Sequence, residues 1–279
     1  MHPIRPVVRP GAFFTLTFGL SWLIWLPLTL SHLGIGPFQI AESTSMGVRL
    51  LGVLMPATAA LLLTAHAGGR AAVRQLLATL AVWRVGWGWW GAAVVVQPLL
   101  LILSALLFNC IGGQPPLTWS TSLTISGWIA SGVMLTVAVL GEEIGWRGLA
   151  LPALQRQYST LPASVLLAFA HATWHLPFWM IQETYDQYGV GYLLLSYLFV
   201  FPMTLYINWL FNRSRSSVLL VVACHLAFNL VNVAWLPVTV SLGAFAILIG
   251  IECGVALFLL PRLAVALRPP CEAPVAQRL

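Results

Sequence analysis

The chain has 279 residues, 59% of them apolar, with 13 basic and 7 acidic side chains, so only 7% of it is charged. A soluble domain carries roughly 25% charged residues. With 13 Trp and a mean hydropathy of +0.91, this chain could not cover a water-exposed surface. Those figures exclude a soluble enzyme, a nucleic-acid-binding module and a disordered protein, and leave a polytopic membrane protein. The net charge of +6 is then read as membrane topology rather than as affinity for nucleic acid. All the basic residues are Arg, with no Lys and much Ala, which suggests a GC-rich bacterial source.

The apolar runs approach 20 residues, the length of a membrane helix, and lack the ten-residue alternation of barrel strands. The expected fold is all-α, with about eight transmembrane helices near 11–33, 47–67, 88–110, 126–149, 160–181, 189–211, 216–236 and 239–261. The first run follows Arg5 and Arg9; it is too long for a cleaved signal and is read as a retained anchor. Between the second and third runs, Gly69 to Trp87 is basic and too polar to span, as expected of an amphipathic surface helix. After the eighth run, residues 263–279 form a tail rich in Pro and expected to be disordered, so 1–262 is a single helical domain.

Arg occupies alternate loops: Arg5 and Arg9, then Arg70, Arg74 and Arg84, then Arg156, then Arg213 and Arg215, then Arg262, Arg268 and Arg278. The other loops carry Glu42, Glu183 and Asp186, with Arg49 as the one misplaced cation. The positive-inside rule then puts both termini in the cytoplasm of a multi-pass cell-membrane protein. The four cysteines (Cys110, Cys224, Cys253 and Cys271) lie far apart, which argues against a zinc-thiolate site or a disulfide framework.

Ionisable groups within a span cost about 2.5–3.5 kcal/mol each at a helix centre, so their presence suggests function. Span 4 carries Glu142, Glu143 and Arg147; span 5 carries His171 and His175; span 7 carries His225, Asn229 and Asn232. Glu143 and Arg147 are one helical turn apart and can pair. Glu142 lies about 100° round the helix and stays available for chemistry, as a general base or acid. His171 and His175 share a face, beside Pro177, and could either bind one metal or divide catalysis and support between them. His225 and Asn229 repeat the spacing, and the amide could donate to an oxyanion. His175-Leu-Pro-Phe and His225-Leu-Ala-Phe echo one another, so two helices present a His at comparable height. Glu252 in span 8 has no evident role beyond an interhelical hydrogen bond or a neutral acid, and Cys224 points away from His225.

The order Glu-Glu-x-x-x-Arg, then Trp-His-Leu-Pro, then His-x-x-x-Asn on successive late spans resembles the CAAX protease and bacteriocin-processing family, over roughly residues 120–235. The resemblance implies an eight-span, glutamate-dependent intramembrane endopeptidase acting on a membrane-associated peptide or protein, with the lipid bilayer as its medium and no nucleic acid. It implies that Glu142 with His175 activates a water, that His225 and Asn229 support the oxyanion, and that Glu143 and Arg147 complete the first motif. One departure stands out: the family usually has Phe four residues before the His of the second motif, and here that position is His171. The extra imidazole makes His171 a secondary site candidate. No cofactor is expected to be required, with a divalent metal such as zinc on Glu142, His171, His175 and His225 as the other version. Two rival functions use the same residues: a non-catalytic immunity or scaffold protein of this fold, and a proton-coupled transporter. A transporter would be expected to show inverted repeats with paired broken helices, and only the short His-Leu-x-Phe echo is present.

Overall fold

The computed structural model describes residues 8–114, 124–234 and 238–265. Within them the chain is helical, with no strand. The helices are α1 (Pro10–His32), α2 (Glu42–Val53), α3 (Met55–Ala78), α4 (Trp87–Cys110), α5 (Ile125–Gly145), α6 (Leu151–Gln155), α7 (Thr160–Trp179), α8 (Glu183–Tyr188), α9 (Val190–Arg213), α10 (Val218–Ala234) and α11 (Leu242–Val265).

Large apolar side chains point outward along these helices: Leu23, Ile102, Leu106, Ile129, Leu198 and Phe258 are all exposed. Such a surface would not be stable against water and suits a lipid solvent. Polar groups gather inside instead, among them Thr17, Ser21, Gln97, Glu142, Glu143, Arg147, His171, Ser196, Asn208 and Glu252, all buried. In hydrocarbon this inversion is required, because a polar group facing lipid finds no partner. The chain is a multi-pass membrane protein. By length and composition, six helical stretches can cross a bilayer: Pro10–His32, Thr44–Ala81, Trp87–Cys110, Ile125–Gln155, Val190–Arg213 and Leu242–Leu263. The other two expected spans fall on α7, whose two His and two Pro dilute its apolar run, and on α10, where Val218–Asn232 is a shorter apolar helix. These are the two helices that carry the site histidines.

The helices pack α7 on α9, α10 on α4, α11 on α9 and α3 on α5, with α1 against α2, α3 and α7. Because lipid gives helices no hydrophobic reason to associate, side-chain hydrogen bonds and close packing must hold them together. Ser21 Oγ donates to the Gly52 carbonyl (2.9 Å), and Trp25 Nε1 donates to that of Arg49 (3.1 Å). Trp22 Nε1 reaches the Trp174 carbonyl on α7 at 3.0 Å. Gly145 lets α5 lie directly on the start of α3: a Cβ there would sit 2.6 Å from Pro56 Cβ and 2.7 Å from its carbonyl oxygen.

The segment expected to leave the span at Gly69 does so. Gly69 has φ 63° and ψ −160°, a conformation that L side chains rarely adopt, and it breaks α3 between residues 55–68 and 70–78. Beyond the break, Ala72 and Leu76 are buried while Arg70 and Arg74 are exposed, so this turn of helix is amphipathic. Arginine-rich loops meet at one end, where Arg215 Nη1 donates to the Arg84 carbonyl (3.3 Å). At the other end His32 Nε2 meets Asp186 Oδ1 (2.8 Å). Arg49, the cation that broke the loop pattern, is tied there through Nη2 to the Ile181 carbonyl (2.7 Å). The final helix runs to Val265, past the expected domain end at 262, and Cys271 with the rest of the tail lies outside the described residues.

Candidate active site

Two adjacent carboxylates at the end of α5 open in different directions. Glu143 is fully buried and is bonded to its own helix continuation and to α10. Arg147 Nη1 donates to both of its oxygens, at 2.9 and 3.0 Å. His225 Nδ1 on α10 lies 2.8 Å from Glu143 Oε1. Arg147 Nε in turn donates to Asn208 Oδ1 on α9 at 3.1 Å. Arg147 sits in a π-helical turn, Trp146–Ala150, that joins α5 to α6. Such a turn widens the backbone by one residue and is frequent at functional sites.

Glu142 turns instead to α7. His171 Nε2 is 2.9 Å from Glu142 Oε2, and His175 Nε2 is 3.7 Å from the same oxygen. The sequence reading made His175 the partner of Glu142 and His171 secondary; the structure puts His171 nearer. The reason is packing. The His171 ring lies against Trp146 (centroids 4.8 Å), on the continuation of the helix that carries Glu142. His175, one turn further along, is stacked between His171 (5.0 Å) and Trp179 (5.2 Å). Shared-face spacing is correct for both rings, but it does not say which approaches closer.

A cavity of about 370 Å³ lies against this arrangement. Glu142, His171, His175, His225 and Asn229 all line it, with Tyr192, Ser196 and Thr204 of α9 opposite. His225 therefore has one ring nitrogen fixed by Glu143 while the residue borders the cavity. Asn232, noted in the sequence beside Asn229, is engaged structurally: its amide bonds Thr239 Oγ1 at 2.9 Å and accepts from the Thr239 backbone N–H at 3.3 Å. Cys224 is buried and its neighbour His225 belongs to Glu143, so the two form no nucleophile pair.

Of the four candidate metal ligands, the structure groups three. Glu142, His171 and His175 each offer a ligand atom within 4.8 Å of the others; His225, whose Nδ1 meets Glu143, stands outside that group.

The family described as "Type II CAAX prenyl endopeptidase Rce1-like" matches residues 123–231. A curated relative, "CAAX prenyl protease 2" of Methanococcus maripaludis, is 25% identical over 233 residues, covering 80% of this chain and 83% of its own. Both matches are to proteins of the kind the sequence motifs resemble, and they support a place in the CAAX protease and bacteriocin-processing family. The family's matched segment holds every residue of both carboxylate clusters, from Glu142 on α5 to Asn229 on α10, and Asn208 between them.

Asn208 escaped the sequence reading. The signal was available: an Asn inside an otherwise apolar span is as conspicuous as the His residues that were noticed. Tyr192, Ser196 and Thr204 gave less warning, since hydroxyl residues are common in membrane helices and only tertiary packing turns them toward the cavity.

Proposed function

We propose that this membrane protease hydrolyses a peptide bond with water activated by Glu142. The observation that carries the reading is the division of labour between neighbouring carboxylates. Glu143 is matched by a guanidinium, whereas Glu142 borders the cavity and meets only imidazoles. An arginine-bound carboxylate is a poor proton acceptor; one that meets only imidazoles can serve as general base.

The steps follow from the positions of the donors. A water beside Glu142 gives its proton to the carboxylate as its oxygen bonds to the scissile carbonyl carbon. His171 and His175 orient Glu142 and the water. The carbonyl π electrons move to oxygen, and the oxyanion is met by the Asn229 amide and by His225. With Nδ1 on Glu143, a protonated His225 has Nε2–H to offer. One such donor contributes about 2.7–4 kcal/mol in other hydrolases. The C–N bond then breaks, and the amine leaves with the proton held by Glu142. Glu143 and Arg147 act through His225 and are positioning residues. The substrate is a membrane-associated peptide; the relative's printed name makes a prenylated C-terminal peptide the first to try.

Glu142→Gln keeps the size of the side chain and removes the base. Single-turnover cleavage of a prenylated reporter peptide, and of its unprenylated match, should fall at least about a hundredfold with the melting temperature unchanged. Parental cleavage rates in that variant would overturn the assignment.

A further inference from the structure

Beyond proton transfer, the two α7 histidines and Glu142 have the composition of a metal centre. Two imidazole nitrogens and one carboxylate oxygen is a ligand set used by zinc sites that keep a fourth position open. Around an ion with bonds of about 2.0–2.2 Å, tetrahedral ligand atoms stand about 3.4 Å apart. Here the carboxylate oxygen is 2.9 Å from one nitrogen and 3.7 Å from the other, on either side of that value. The three atoms all lie within 4.8 Å of one another, so the shifts needed to reach that spacing are at most about 1.4 Å, within reach of side-chain torsions.

The opposite edges of the two rings bear on the same question. His171 Nδ1 and His175 Nδ1 are both buried, with no hydrogen-bond partner among the described residues. A ring that ligates through Nε2 must carry its proton on Nδ1. Neither ring has a competing bond at Nδ1 to hold it in the other tautomer, so each can adopt the ligating form. The same absence weakens the site, because tightly held metals have imidazoles whose second N–H is bonded to a carboxylate or carbonyl. All three residues line the cavity of about 370 Å³, which has room for a water as a fourth ligand. Imidazole with carboxylate favours zinc, cobalt, nickel or copper over magnesium or calcium.

We propose that Glu142, His171 and His175 form an exchangeable binding site for one divalent transition-metal ion. The site does not depend on the chain's being a protease, since binding is read without substrate. Its effect on cleavage does rest on that reading: the ion occupies the very oxygen that hydrolysis uses as base, so loading slows the reaction.

The test uses the full chain in detergent, stripped with EDTA and titrated with Co²⁺. Visible d–d absorption of a four-coordinate ion should saturate at one equivalent, and Zn²⁺ should bleach it. His171→Phe, and His171→Gln as a smaller polar alternative, should abolish the signal with the protein still melting cooperatively. His66→Ala, which removes an exposed histidine of α3 outside the cluster, should not change it. Absence of the bands at one equivalent, or their survival in both His171 variants, would overturn the site. Zn²⁺ should also lower cleavage by the parent protein, with EDTA restoring it. Stimulation by Zn²⁺ would leave the site standing and overturn Glu142 as the base, so the two readings fail separately.

Discussion

The two halves of the site differ in what their carboxylates are bonded to. Around Glu143, each carboxylate oxygen has a donor, Arg147 reaches a third helix through Asn208, and His225 is fixed by one ring nitrogen. Around Glu142, a single oxygen is shared by two imidazoles, one of them at 3.7 Å, and both rings have a free buried Nδ1. A bonded cluster in a low-dielectric interior fixes the geometry of helices that lipid does not push together. A carboxylate that meets imidazoles and no guanidinium retains the capacity to take a proton, a water or an ion. The first half ties α5, α9 and α10 together; under the proposed mechanism the second half does the chemistry against that frame.

The sharpest way to break this comparison is Glu143→Gln. The substitution leaves the fully buried Arg147 without its counter-charge. Removing one member of a buried pair costs roughly 3–5 kcal/mol. For a chain of this size that is a fall in melting temperature of roughly 10 °C. Activity should fall in step with the folded fraction. A Glu143→Gln protein that melts like the parent and yet cannot cleave would exchange the roles of the two halves.

How legible the two halves were in the sequence follows from the range of their contacts. The Glu143–Arg147 pair lies within one turn of one helix, and its spacing alone announces it. The outward turn of Glu142 follows from the same helical geometry. The apolar runs placed the helices because a span must exclude charge over its whole length, and α1, α4, α9 and α11 begin and end within a few residues of expectation. What the sequence could not show were contacts between helices. Nothing in the order of residues says that His225 belongs to Glu143, or that Trp146 draws His171 toward Glu142 ahead of His175. The break at Gly69 was expected from its polar, basic surroundings, whereas the close approach of Pro56 to Gly145 needed the packed helices to be seen.

A smaller effect is expected at the outer edge of the bonded half. Asn208→Ala removes the acceptor for Arg147 Nε and leaves a charged donor buried and unmet. That penalty is about 1–3 kcal/mol. Melting temperature should drop by less than in Glu143→Gln, and cleavage per folded molecule should persist. Because both substitutions act on one guanidinium, their combination should cost less or more than the sum, and a double-mutant cycle reads that coupling. Strict additivity would show that Asn208 does not belong to the Glu143 half.

The smallest effect is expected at the remaining buried carboxylate, which belongs to neither half. Glu252 on α11 is fully buried, and neither of its oxygens has a hydrogen-bond partner among the described residues. Gln97 of α4, itself buried, is the polar side chain that lies beside it. No salt bridge to Glu252 occurs among the described residues, so Gln removes no counter-charge, and it keeps the volume of the side chain and an oxygen for Gln97 to meet. Glu252→Gln should therefore leave melting temperature and cleavage rate at parental values. The comparison between the halves makes this a real constraint: a membrane carboxylate matters here through what it is bonded to or what it faces, and Glu252 has neither a cation nor the cavity. A Glu252→Gln protein that folds normally and loses cleavage would show that the chemistry extends to α4 and α11, and that the division into a holding half and a reacting half is incomplete.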